Sequence, residues 1–258
     1  MKSNYLKLLV AMTIAVLFMN VLAGASEIDE RIVSSAKQSY VFKTYLQNDA
    51  VKVQSKDGVV TLTGTVAVES HKSLAKETVA SLPGVKSVND QLELKGERSA
   101  ENSDGWISMQ VKYSLLYHRY VSGMNTQVFV TNGVVMLRGE AENQAEKDLA
   151  GEYAKDIKGV KDVKNEMTIA KVTNKAEQTM GEKIDDASIT AQVKMALLFH
   201  RSTSAFKTGV NTSNGVVTLS GKATSGAGKD MAAKVANDVN GVTKVINNMT
   251  IRDSMSKN

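Results

Sequence analysis

The sequence predicts an α+β protein made of three tandem small domains. Each runs helix, strand, strand, helix, strand, with a three-stranded sheet and two helices on one of its faces. Three observations predict this. A Gly-Val-Val-x-Leu-x-Gly phrase begins at Gly58, Gly133 and Gly215, so successive copies lie 75 and then 82 residues apart. Its last glycine recurs as Gly64, Gly139 and Gly221, and a further glycine, always followed by valine, recurs in the same register as Gly84, Gly159 and Gly241. Before and after each phrase, apolar residues repeat at helical spacing, and three registers agreeing in three copies identify repeated domains.

The chain opens on a leader-like segment. Lys2 and Lys7 flank a short basic start, Leu8 to Leu22 is almost uninterruptedly apolar, and Ala23-Gly24-Ala25 offers the small residues of a cleavage site, so residues 1–25 read as a secretory signal peptide. The run is shorter than the ~20 residues of a spanning helix and no basic stop-transfer cluster follows it, so no transmembrane anchor is expected after cleavage. There is no cysteine, which removes disulfides, thiolate metal sites and a lipoprotein anchor. Export without cysteine points to a bacterial periplasm.

The elements come in a regular order. Each unit begins with a helix carrying Ile107, Val111 and Leu115 on one face, matched by Ile189, Val193 and Leu197 and more loosely by Ile32, Ala36 and Tyr40. Strand alternation then appears at Val51 and Val53 and at Val128 and Val130, and the Asp-Gly or Asn-Gly step gives a tight hairpin turn because these residues tolerate positive φ. The second strand, Val59 to Thr65 in the first copy, is interrupted by Gly64, where a strand bends or another element approaches. A second helix carries Leu74, Ala75, Val79 and Leu82, with counterparts Leu149, Ala150, Ala154 and Ile157, then Met231, Ala232, Ala236 and Val239. Its stop is read at Gly84, Gly159 and Gly241, reinforced by Pro83 in the first copy. Closing strands are read at 85–92, 160–169 and 242–251.

The domains are accordingly placed at 28–95, 104–171 and 185–253. Polar spacers at 96–103 and 172–184 read as linkers between independently packed units, and 254–258 as a C-terminal tail.

This order of elements, the Gly-Val-Val-x-Leu-x-Gly phrase and the terminal Gly-Val-x-x-Val-x-Asn phrase, complete at Asn165 and Asn247, together resemble the BON domain family. The resemblance covers 28–94, 104–170 and 185–253. It implies a periplasmic protein linked to osmotic and envelope stress whose domains bind phospholipid or other envelope surfaces, with a chaperone-like role as the alternative. The motifs it carries over are structural glycines and valines: Gly58, Gly133 and Gly215 in turns, Gly64, Gly139 and Gly221 in strands, and Gly84, Gly159 and Gly241 after helices.

The residues suggest no catalytic, cofactor or metal site. Of three histidines, His118 and His200 are repeat equivalents followed by Arg119 and Arg201, but they belong to different domains and lack neighbouring ligands, so they read as partly charged residues favourable at a helix C-terminus. Glu142, Glu146 and Asp148 resemble a solvated helix face. The segment from Gly221 to Asp230 lacks phosphate-loop spacing, with Asp230 where a hydroxyl belongs. Tyr113, Tyr117, Tyr120 and Phe129 do not form a stacking stripe, and export argues further against nucleic acid as a partner.

Charge separates the copies. Residues 26–95 hold nine basic and nine acidic side chains, 104–171 again nine and nine, and 185–258 nine basic against five acidic, giving 0, 0 and +4. The candidate contacts to an anionic surface are Lys194, Arg201, Lys207, Lys222, Lys229, Lys234, Lys244 and Arg252. Tyr117, Tyr120, Val121 and Met124, with Phe199 and Phe206 in the matching zone, suit either a membrane interface or packing in the core and between domains; packing is the reading preferred. The function expected is non-enzymatic binding of anionic phospholipid or envelope surfaces by linked domains. The alternative is a periplasmic chaperone or protein-interaction module, and the oligomeric state is not readable from sequence.

Overall fold

The computed structural model describes residues 27–96, 100–123, 126–170, 183–203 and 208–251. The expected signal peptide, most of the second linker and the C-terminal tail lie outside the described residues. In the first domain α1 spans residues 27–38, α2 Tyr40–Thr44, β1 Ala50–Lys56, β2 Val59–Val66, α3 Glu69–Ala80 and β3 Ser87–Leu94. The second holds α4 Asp104–Tyr117, β4 Thr126–Thr131, β5 Val134–Ala141, α5 Gln144–Lys155, β6 Asp162–Asn165 and β7 Thr168–Ile169. The third repeats it with α6 Asp186–Phe199, β8 Thr208–Ser213, β9 Val216–Ala223, α7 Gly226–Asn237, β10 Lys244–Asn247 and β11 Thr250–Ile251.

Each sheet is mixed. The strand carrying the repeated phrase lies in the middle, antiparallel to the strand before it and parallel to the strand after the second helix. Its inward positions, Val60, Leu62 and Val66 in the first domain, pack with Ile32, Ala36, Leu74 and Val79 of the helices. In the second and third domains the last strand is broken rather than continuous. Asn165 and Asn247 turn back to accept the N–H groups of Met167 and Met249 at 3.2 Å in each case. The break directs both methionines into the core, where they are buried.

The repeated phrase begins in a hairpin turn. Asp57 and Gly58, Asn132 and Gly133, and Asn214 and Gly215 all have positive φ, the type I′ geometry that matches strand twist. A carboxylate from the start of the domain pins each turn: Asp29 accepts from Asp57 and Gly58, Asp104 from Asn132 and Gly133, and Asp186 from Asn214 and Gly215, all at 2.7–2.9 Å. The Ser55 hydroxyl, and next the Gly58 N–H, hold the Asp29 carboxyl below its ordinary pKa. All nine motif glycines have positive φ. At Gly64, φ is 110°, and a Cβ would overlap the Ala50 carbonyl oxygen on the neighbouring strand.

Two features differ from the expectation. The first helix of the first domain breaks at Ser39, whose hydroxyl donates to the Ala36 carbonyl at 2.7 Å and restarts the chain as α2. The second helix ends at Ala80, Lys155 and Asn237, four residues before its glycine in each copy. The intervening turn brings Gly84 against the side chains of Ile28 and Ile32, and Lys86 N–H then donates to the Gly58 carbonyl at 2.8 Å. That glycine therefore shapes the entry to the last strand, not the last turn of the helix.

The domains are not independently packed. One core runs through the first and second domains and takes in Ala187, Ala191, Met195 and Phe199 from α6. The opposite face of α6, Ile189, Val193 and Leu197, belongs to the third domain's own core with Val217, Leu219 and Val239. Helix α6 is thus enclosed on both sides, with α3 and α4 packed against its outward face.

Replacing Gly64 by alanine should destabilise the protein by roughly 3 kcal/mol or more, because strain and overlap with backbone act together. Urea unfolding followed by circular dichroism measures this, and a cost below about 1 kcal/mol would contradict the packing argument.

Candidate functional site

Helices α4 and α6 end at repeat-equivalent residues, and the segments beyond their C-termini build a seam between the second and third domains. His118 pairs antiparallel with Val239, and His200 pairs antiparallel with Ile157. Since His200 and Val239 repeat His118 and Ile157, the same contact is made in both directions, as across the axis of a two-fold dimer. Arg119 N–H donates to the Asp238 carbonyl at 3.0 Å and Arg201 N–H to the Asp156 carbonyl at 2.8 Å. The guanidinium of Arg119 then donates to the carbonyls of Val239 and Val242 at 3.0 and 2.5 Å, while that of Arg201 lies 3.5 Å from those of Ile157 and Val160. An arginine fork suits such paired acceptors beyond a helix end.

The two histidines, expected to stand apart and partly charged, face this common seam. His118 is buried and stacks on Tyr153 with centroids 3.6 Å apart and planes 6° from parallel. Burial drives its pKa down to about 4, and burial also lowers that of His200 against the pull of Asp156. Both are held toward the neutral form, so helix-end charge does not account for their placement. Among the described residues no group of three His, Asp or Glu side chains converges as a metal site.

The first domain has Lys43-Thr44 where the others have His-Arg, and it docks by other means. Asp185, the N-cap of α6, accepts from Ser188 N–H and also from Tyr40 N–H at the start of α2, while Ser188 Oγ accepts from Val41 N–H at 3.0 Å. One carboxylate and one hydroxyl of the third domain thereby satisfy a helix start in the first. Tyr40, Tyr45, Tyr117 and Tyr113 form successive ring contacts across the junction with the second domain. At its end Tyr113 Oη lies 2.5 Å from His71 Nε2, and His71 Nδ1 bonds Asp49. Burial pushes the Tyr113 hydroxyl up to about 12. Of the aromatic group left open between core and interface, Tyr117 and Phe199 are buried in these contacts, whereas Tyr120 is exposed; Met124 and Phe206 lie outside the described residues.

Among the described residues, the basic side chains of the third domain do not form one cluster. Lys194 bonds Glu77 of the first domain at 2.7 Å, and Arg201 stands in the seam. Lys222, Lys234 and Lys244 are exposed and Lys229 is half-buried. Lys222 and Lys244 flank opposite ends of β9, the former in register beside Thr250 and the latter beside Val216. Lys207 and Arg252 lie outside the described residues.

A family model for the BON domain matches residues 28–96, 103–171 and 185–253. The chain belongs to the BON family. It is 30% identical over 143 residues to osmotically-inducible protein Y of Escherichia coli, covering 54% of this chain and 71% of that protein. It is 28% identical over 151 residues to an uncharacterised protein in the gshII 5' region of Anaplasma centrale, covering 58% of this chain and 96% of that one. It is 34% identical over 115 residues to the outer membrane lipoprotein DolP of Haemophilus influenzae, covering 45% and 56%. This BON protein is periplasmic, stress-associated and non-enzymatic, and no helix among its described residues is long and apolar enough to cross a membrane.

The turn-pinning aspartates and the Asp49–His71–Tyr113 chain escape a reading of the sequence alone. Asp29, Asp104 and Asp186 share one place in the BON repeat, and that register was the available signal. The second group joins a loop, a helix and another domain, so no spacing reveals it.

Because the folded pKa of His118 lies below its unfolded value near 6.5, the unfolded chain takes up the proton first as pH falls. The stability from neutral burial is present above about 6.5 and declines toward about 4, on the order of 3 kcal/mol for a shift of this size. Melting temperatures across this window should fall with pH, and less steeply for His118→Phe, which keeps a ring against Tyr153 without the titration. Equal slopes for both proteins would remove His118 from the account.

Proposed function

We propose that the protein binds anionic envelope surfaces, with phospholipid headgroups as the ligand and the third BON domain as the principal contact. The carrying observation is the charge distribution of 0, 0 and +4 over the three domains. In this reading Lys194 and Arg201 serve assembly, and Lys222, Lys234 and Lys244 supply the attraction, with Lys229 as support. Each near-surface lysine contributes about 1 kcal/mol at most, so the contact is weak, salt-sensitive and spread over the surface. Its strength at a membrane grows when several molecules are held together.

A second reading, a protein-interaction or chaperone module, draws support from the second domain. Phe129, 49% exposed, lies in register beside Met136 on the sheet, and the outer strands present edges that can accept another strand. The corresponding pair is Gln54 and Thr61 in the first domain and Asn211 and Thr218 in the third, so this apolar feature is confined to one domain.

Co-sedimentation of the full chain with anionic and neutral vesicles, at low and moderate salt, tests the first reading. Binding is expected to anionic vesicles only, to weaken with salt, and to be lost in the triple variant Lys222→Glu, Lys234→Glu, Lys244→Glu but retained in Lys52→Glu, Lys56→Glu of the first domain. Equal loss in both variants would show that net charge, not the third domain, decides; no vesicle binding at all would favour a protein partner.

A further inference from the structure

The sheet of the third domain has a helix-covered face and an open one. Val217, Leu219 and Val245 pack into the core with α6 and α7, so the alternating residues Val216, Thr218, Lys222, Lys244 and Ile246 share the outer face. Lys244 pairs with Val216 and Ile246 with Thr218, while Lys222 marks the other end of β9 beside Thr250. Ile246 is 39% exposed there.

The same places differ in the other copies. In the second domain Glu140, Asp162 and Glu166 stand where the third has Lys222, Lys244 and Asn248, and Lys164 stands in the place of Ile246. Glu166 is paired with Arg138 at 2.9 Å, so charge on that face is partly neutralised within the face itself. In the first domain the four places hold Thr65, Ser87, Gln91 and Asn89, all polar and uncharged. Only the third domain combines two lysines with an aliphatic side chain at these places, and among the described residues no carboxylate lies on its outer face. Lys229 and Lys234 belong to α7, behind the sheet, where Lys234 is close enough to His200 to oppose that imidazole's protonation. A helix layer about 10 Å thick, about one Debye length at 0.1 M salt, separates them from the outer face, so one flat surface does not meet both sets.

We propose that the outer sheet face of the third domain is the surface that meets the membrane, with Lys222 and Lys244 on anionic headgroups and Ile246 reaching the boundary of the acyl chains between them. This rests on the anionic-surface reading above and adds which face turns to the lipid. The two lysines stand about 20 Å apart along β9, too far to converge on one small anion but suited to separate headgroups. The aliphatic side chain between them favours a lipid layer over a soluble polyanion.

The test is a titration of the full chain and its variants with vesicles of equal parts phosphatidylglycerol and phosphatidylcholine. Lys222→Gln with Lys244→Gln should weaken binding about tenfold and flatten its salt dependence. Lys229→Gln with Lys234→Gln, an equal change in net charge, should weaken it less than about threefold. Ile246→Ser should weaken it about fivefold with the salt dependence unchanged. Since Ile246 stands outside the core, that variant is expected to fold, as circular dichroism would verify. Emission from Ile246→Trp should be quenched by lipids brominated at the upper acyl chain, and emission from Asn89→Trp, the same place in the first domain, should not. Equal loss in the two lysine pairs, parent-like binding by Ile246→Ser, or bound Ile246→Trp left unquenched overturns this face while surface binding stands. Absence of binding by the parent chain at low salt overturns both.

Discussion

Helix α6 carries one charged side chain between Ala187 and Phe199, Lys194, and that charge is paired with Glu77. A helix apolar on all sides must be enclosed, and here two cores enclose it. Ile189, Val193 and Leu197 complete the third domain, while Ala187, Ala191, Met195 and Phe199 enter the core shared by the other two. Small residues at Ala187 and Ala191 let neighbouring elements come close, and the buried polar residues fix how they dock. Ser188 meets the first domain's backbone, Thr190 bonds Thr212 at 2.7 Å, and Gln192 lies 3.5 Å from the Tyr45 hydroxyl. Such groups are costly to bury unpaired, so they favour one docking over others that would bury similar apolar area.

The seam between the second and third domains arises from repetition itself. Two copies ending their first helix with Tyr-His-Arg or Phe-His-Arg present the same donors and acceptors, and a two-fold relation lets each satisfy the other. Lys43-Thr44 excludes the first domain from that arrangement, and three units cannot all pair by twos. Its docking instead uses the start of α2, where the helix break at Ser39 leaves N–H groups that Asp185 and Ser188 accept. A local irregularity in one domain is thus completed by the cap of another domain's helix.

Assembly also redistributes the charge that distinguishes the third domain. Lys194 and Arg201 are engaged in contacts with the other domains, leaving the exposed lysines around β9 and α7 as the surface field. The exchange of Glu140 for Lys222 and of Asp162 for Lys244 shows how the same sheet positions carry opposite charge in two copies of one fold. Comparison among the three copies reveals this difference, which the fold of any single copy would not.

The sequence by itself determined the repeat, the element order and the hairpin turns, because these rest on local chemistry: positive φ at Asn-Gly and Asp-Gly, alternation in strands, and helical periodicity. It also singled out nine glycines, all of which have positive φ, and the helix-associated set among them serves the following strand. The Ser39 break was illegible because Tyr40 continues the apolar spacing and the partners that stabilise the break lie about 145 residues away. Tertiary structure alone decided that His118 is neutral, that Arg201 and Lys194 join domains, and that α6 has two buried faces. Each depends on the groups that other segments bring within a few ångströms, and burial and distance then set charge state and pairing where residue type and local spacing do not.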